Sequence, residues 1–135
     1  MNILETEWWS LAVPPEWWAE REEDSIVIGD RDDVGSIEIS TLHKDAGEFQ
    51  AAEIEAFARD NSDGNWDWAP AQLGAYRGLG THYMEEGDAV REWVVARDGV
   101  MLFITYSCAT ENAGLDDAAV DELLDTLAPR QENSE

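Results

Sequence analysis

The chain has 135 residues, 44% of them hydrophobic, and a formal net charge of −23 from 31 acidic and 8 basic side chains. That length fits one domain, residues 1–135, able to build a core without metal or disulfide staples. The acid excess excludes a nucleic-acid or anionic-membrane binder and suits a basic partner protein, while scattered carboxylates among apolar residues exclude a disordered acidic tail.

Residues 8–13 open the pattern. Trp9, Leu11 and Val13 alternate with Trp8, Ser10 and Ala12, which is strand period. Pro14-Pro15 ends that strand, because proline brings no N–H to a ladder. The chain resumes extended over residues 17–21 and again over 25–28, where Ile26 and Ile28 share a face. The Asp-rich run 30–35 is a turn, and residues 36–40 alternate clearly as a sheet strand with one wet face.

A helix is expected over residues 48–59, with Asp45 as N-cap and Ala51, Ile54 and Ala58 on its apolar stripe. Residues 61–65 form a loop, followed at once by Trp66, Trp68 and Pro70. Residues 73–84 read as one long strand, bent or bulged by Gly74, Gly78 and Gly80. Glu86-Gly87-Asp88 turns the chain into a strand over 90–97, and Asp98-Gly99 signals a hairpin into 100–108. This last run is nearly all apolar, as a central strand covered on both faces would be. A second helix starts near Asp116 or Asp117, buries Val120, Leu123, Leu124 and Leu127, and stops at Pro129. Residues 1–6 and 130–135 are expected to fray. The order predicts an α+β fold: a mostly antiparallel β-sheet with helices packed against it.

Few groups suggest chemistry. Cys108 is the single cysteine and sits in the apolar strand, where a thiol serves as a small hydrophobe. A Cys108/His82 dyad would need both side chains on one sheet face. His43 and His82 lack ligand spacing, and His82-x-x-x-Glu86 falls in strand and turn, so no metal site is expected. The run from Asp30 begins like a calcium loop but has Val34 at its fifth position and Thr41 at its twelfth. No catalytic residue and no cofactor is expected. The opening residues carry no basic region or apolar run, and no stretch approaches the roughly 20 residues of a membrane span, so the expected location is cytoplasmic.

The seven tryptophans remain. Strand period sends neighbouring side chains to opposite faces, so each doublet, Trp8/Trp9 and Trp17/Trp18, should bury one ring and leave the other under a loop or on the surface. Trp66 and Trp68 would share a face. These rings form either a satellite core under residues 61–71 or an exposed aromatic patch. In the patch reading Trp8, Trp18, Trp66 and Trp68 are the binding residues.

The opening strand running into Val13-Pro14-Pro15-Glu16-Trp17 resembles the Mog/PsbP-like α/β/α sandwich group. So do Glu92-Trp93-Val94-Val95, Asp98-Gly99, Leu102-Phe103-Ile104-Thr105-Tyr106 and the helix end Leu124-Asp125-Thr126-Leu127. The group holds Ran-binding Mog proteins, PsbP subunits of photosystem II and many small bacterial proteins. The likeness spans residues 8–128 and implies a fold; no Ran-binding or photosystem residues map onto this chain, so neither function carries over.

Three functions are compatible with these features. The first is a non-enzymatic, immunity- or adaptor-like binding protein whose carboxylate-ringed aromatic patch holds a basic protein by cation–π contact. The second is a small-molecule binder or enzyme with a pocket between the sheet and the Trp66/Trp68 loop. The third is an acidic housekeeping domain adapted to high salt, consistent with seven Arg to one Lys (Lys44).

Overall fold

The computed structural model describes residues 2–23, 25–32, 34–60 and 67–129. In chain order the elements are β1 (Asn2–Glu5), β2 (Trp9–Val13), β3 (Trp17–Arg21), β4 (Ser25–Asp30), β5 (Gly35–His43), α1 (Ala51–Asp60), β6 (Ala69–Leu73), β7 (Tyr76–Glu85), β8 (Asp88–Arg97), β9 (Val100–Ala109), α2 (Asp117–Leu124) and β10 (Ala128–Pro129). The fold is α+β, with every strand pair antiparallel. Seven strands form the main sheet in the order β3-β4-β5-β9-β8-β7-β6, and β1-β2-β10 form a small second sheet.

Period two explains the layers. In β9, Leu102, Ile104, Tyr106 and Cys108 point to one side with Ile37 and Ile39 of β5 and Trp93 and Val95 of β8. This inner face is closed by α2 (Val120, Leu123, Leu124), by Leu127 and by the small sheet (Trp9, Leu11, Val13). Met101, Phe103 and Val94 point to the outer side, under Ile54, Phe57 and Ala58 of α1. As expected, β9 is apolar on both faces because both are roofed.

Several boundaries differ from expectation. The opening strand does not begin the main sheet; Pro14-Pro15 carry the chain from the small sheet to the edge strand β3. Residues 2–5, expected to fray, pair with β2. Helix α1 starts at Ala51 because Glu53 reaches back to accept the Gln50 N–H (2.9 Å), half of a capping box, so Asp45 is not the cap. Ile54 and Ala58 are buried as expected, but Ala51 is exposed. The supposed long strand 73–84 is two strands, β6 and β7, folded back at Gly74-Ala75. Glu86 and Gly87, with φ of 48° and 89°, match a type I′ hairpin turn. Pro129 does not stop α2, which ends at Leu124; it pairs with Trp9 in the small sheet. Trp66, the 61–65 loop and residues 130–135 lie outside the described residues.

Candidate functional site

The two tryptophan doublets behave differently. Trp17 and Trp18 both lie in β3, so strand period separates them: Trp17 is buried and Trp18 is 36% exposed. Trp8, by contrast, precedes β2. The Thr6 hydroxyl accepts the N–H groups of Trp8 (3.1 Å) and Trp9 (2.9 Å), holding a local turn, so the alternation never applies to Trp8. Trp9 is fully buried and donates its indole N–H to Thr41 Oγ1 (2.9 Å), whereas Trp8 stacks half-buried on His43, ring centroids 4.3 Å apart. Trp68 packs into the cluster beneath α1, and its buried Nε1 has no hydrogen-bond partner among the described residues. Of the four expected binding residues, then, Trp8 sits at the His43 end of the inner side, Trp18 on the outer face and Trp68 under α1. The structure does not bring these three into one patch.

Trp18 instead stands on a platform. Its cross-strand partner is Gly29, and the ring lies over that glycine: a Cβ there would fall 2.6 Å from Trp18 Cε2. Beyond Gly29 the same row continues through Ser36 and Ser107. The adjacent row runs Glu20, Val27, Glu38 and Thr105. Glu20 and Glu38 are exposed, and Ser25 Oγ donates to Glu38 Oε2 (2.9 Å). Among the described residues α1 packs chiefly over β7 and β8 and reaches β5 only at Leu42, at the other end of that strand from Ser36. From β3 to β9 these two rows carry one aromatic ring, two carboxylates and the hydroxyls of Ser36, Ser107 and Thr105.

On the inner side a polar cluster joins the β4–β5 turn to the start of α2. Asp30 is buried and accepts the N–H groups of Val34 (2.9 Å) and Gly35 (3.3 Å). Tyr106 lies against Gly35, where a Cβ would sit 2.6 Å from its Cζ, and donates its hydroxyl to Asp116 Oδ2 (2.9 Å). Burial pushes the Asp30 carboxyl up, but hydrogen bonds from Asp116 and from the Val34, Gly35 and Asp32 amides outweigh it and hold its pKa below the ordinary value. Burial and the facing Asp30 carboxylate raise Asp116 despite the Tyr106 hydrogen bond, and burial together with Asp116 raises the Tyr106 phenol. The two carboxyls face one another, so the charge on each bears on the other. Sequence reading missed it: the Asp30 turn was visible, but nothing local ties Asp116 to it. Since the Asp30 carboxylate is spent on backbone amides, the calcium-loop reading finds no support there.

Two cavities open beside these elements. One, about 760 Å³, lies between the start of α1 (Phe49, Ala51, Ile54) and the β6–β7 edge (Ala71, Gln72, Arg77). The other, about 440 Å³, lies between the inner ends of β7–β9 and the segment leading into α2, and His82 and Cys108 both line it. The structure therefore brings the two members of the dyad weighed from sequence to one sheet face. Cys108 is buried, in keeping with its core role, and His82 is exposed. Glu86 falls in the hairpin turn rather than beside His82. Among the described residues no three His, Cys, Asp or Glu side chains gather to hold a metal. No helix among them is long and apolar enough to cross a membrane.

No family model and no curated protein matches the chain. Among solved structures it is similar to a Bacteroides thetaiotaomicron protein, with a TM-score of 0.67 and 18% identity over 95% of this chain. The match covers 47% of that protein, so the chain spans about half its length. It is also similar to LpqN of Mycobacterium tuberculosis, a protein involved in cell envelope biogenesis, with a TM-score of 0.59 and 19% identity over 91% of this chain and 83% of LpqN. At these identities the likeness is one of fold.

Proposed function

We propose that this protein is a non-enzymatic binding module whose β3–β5 outer face holds a basic segment of a partner protein. The observation that carries the reading is Trp18: a large ring left 36% exposed on a sheet surface that no helix among the described residues roofs, while its doublet partner is buried. Exposed Glu20 and Glu38 flank it in the next row, and the whole chain carries −23. An indole beside carboxylates suits a guanidinium or ammonium group, which gains cation–π and ionic contact together. Of the four tryptophans expected to bind, Trp18 is the one this reading retains at its centre. We further propose that the fold is of the Mog/PsbP-like sandwich kind, on the strength of a helix on each side of an antiparallel sheet. The experiment is calorimetric titration with an oligo-arginine peptide at low and high salt. Binding should weaken with salt and be lost in Trp18→Ala and in the double variant Glu20→Gln/Glu38→Gln. Equal binding by Trp18→Ala sinks the proposal, because the peptide would then be reading bulk charge alone.

A further inference from the structure

The two end strands of the main sheet are finished differently. At one end β6 carries Pro70, which brings no N–H to a further strand. At the other end β3 holds no proline, and its Trp18, Ala19, Glu20 and Arg21 are all exposed. Hydrogen bonds just beyond both ends of the β3–β4 pair, in the same register, fix which backbone groups of β3 are engaged. Arg31 N–H donates to the Glu16 carbonyl (2.9 Å), and Glu22 N–H donates to the Ser25 carbonyl (2.8 Å). Antiparallel pairing alternates, so the even residues Trp18 and Glu20 aim their N–H and C=O groups at β4, while the odd residues Ala19 and Arg21 aim theirs outward. Trp17 N–H closes a turn on the Pro14 carbonyl (3.0 Å). Among the described residues nothing meets the outward N–H and C=O groups of Ala19 and Arg21.

Taking the outer face as the seat of a basic partner, a reading on which this rests, we infer that the partner segment adds to β3 as an eighth strand of the main sheet, with Arg or Lys at alternate positions beside Trp18 and Glu20. A strand hydrogen-bonded to Ala19 sets the residues on either side of that contact opposite Trp18 and Glu20, on the outer face and about 6.7 Å apart. The first gains cation–π contact, the second an opposite-charge cross-strand pair. The Trp18 ring leans over Gly29, away from the free edge, so it leaves the edge open and stays within reach of a long side chain. Exposed Glu16, Glu22 and Glu23 extend the acid rim past both ends of the strand. The one base on the strand, Arg21, points to the inner side, where its guanidinium donates to the Glu5 carbonyl. A second copy of the chain suits this edge poorly: antiparallel self-pairing centred on Ala19 sets Glu16 against Glu22, between molecules that each carry −23.

The test is calorimetric titration of the full chain with three short peptides: one alternating Arg with Thr, one with the same residues sorted into an Arg block and a Thr block, and the alternating peptide N-methylated at its Thr amides. The alternating peptide should bind about tenfold more tightly than its N-methylated form, which cannot donate to the Ala19 carbonyl. It should also bind more tightly than the block peptide, and it should protect the Ala19 and Arg21 amides from hydrogen exchange. Ala19→Pro removes one outward N–H without touching the ladder to β4, and should weaken the alternating peptide about tenfold with the urea midpoint little changed. If that variant fails to fold, the N-methyl comparison on the unaltered chain decides. Equal affinity for all three peptides, lost in Trp18→Ala, would overturn the added strand and leave the outer-face reading standing. Affinity that survives Trp18→Ala would overturn both. Dimerisation of the chain that Ala19→Pro abolishes would overturn the inference in favour of a second copy.

Discussion

The two faces of the main sheet are built from the same strands yet finished differently. The inner face is sealed by α2, Leu127 and the small sheet, which place Trp9, Leu11, Leu123 and Leu124 over Ile37, Leu102 and Ile104. Among the described residues the outer face is roofed by α1 over β7, β8 and β9 and as far as Leu42 of β5, while the rows around Trp18 carry hydroxyls, Glu20 and Glu38. A tryptophan on one face is therefore an architectural part, while one on the other is a surface available to something else. Burial of a large apolar ring supplies much of the folding free energy, whereas an exposed ring supplies little.

Substitution separates the two roles. The largest effect belongs to Trp9→Ala, which empties a fully buried site and strands the Thr41 hydroxyl; it should cost about 3–5 kcal/mol in urea unfolding. A cost below about 1 kcal/mol would mean that the small sheet does not seal the inner face.

Next comes the acid pair at the edge of that seal. Asp116 is raised in the folded state, so its favourable contribution is full below its ordinary pKa of 3.8 and is lost as pH rises through the folded value. Asp30 is lowered, so its contribution is present above 3.8 and is lost as pH falls through its folded value. Asp116→Asn keeps a donor for Asp30 without the ionisation. The variant should gain up to about 1 kcal/mol over wild type near pH 7, with the gain vanishing well below the ordinary Asp pKa, as read from urea melts across that range. A gain that persists in acid would show that the two carboxyls share no proton.

The smallest effect belongs to Trp18→Ala, which should change stability by no more than about 0.5 kcal/mol. A larger loss would make its contact with Gly29 structural and erase the difference between the faces.

Much of the fold was legible because it obeys short periods. Strand alternation marked Ser36 to Ser40 and the run into Cys108, the Glu86-Gly87 and Asp98-Gly99 turns were correctly located, and the stripe Val120, Leu123, Leu124, Leu127 is buried throughout. What failed did so for local reasons. The Thr6 hydroxyl pulls Trp8 out of the strand, the Glu53 side chain resets the start of α1, and Gly74 reverses the chain rather than bending it. The site was less legible. Trp18 could be named as one of two rings in its doublet, but which ring is wet depends on the strand's register with Gly29. His82 and Cys108 reach one cavity from β7 and β9, and the partners Asp30 and Asp116 come from distant turns, so only topology assembles them.

The small sheet also sets an order of events. Its middle strand pairs Ser10 with Ala128 and Trp9 with Pro129, while Ala12 N–H donates to Thr126 Oγ1 (2.9 Å) and Ala75 N–H to the Leu127 carbonyl (2.9 Å). A growing chain thus makes β2 well before the segment that pairs with its second edge. Such long-range closure is slow, because the entropy of a loop spanning 114 residues is lost before the contacts form. Until then β2 is paired only at its β1 edge, and a nascent chain halted before residue 128 would leave its other edge unpaired.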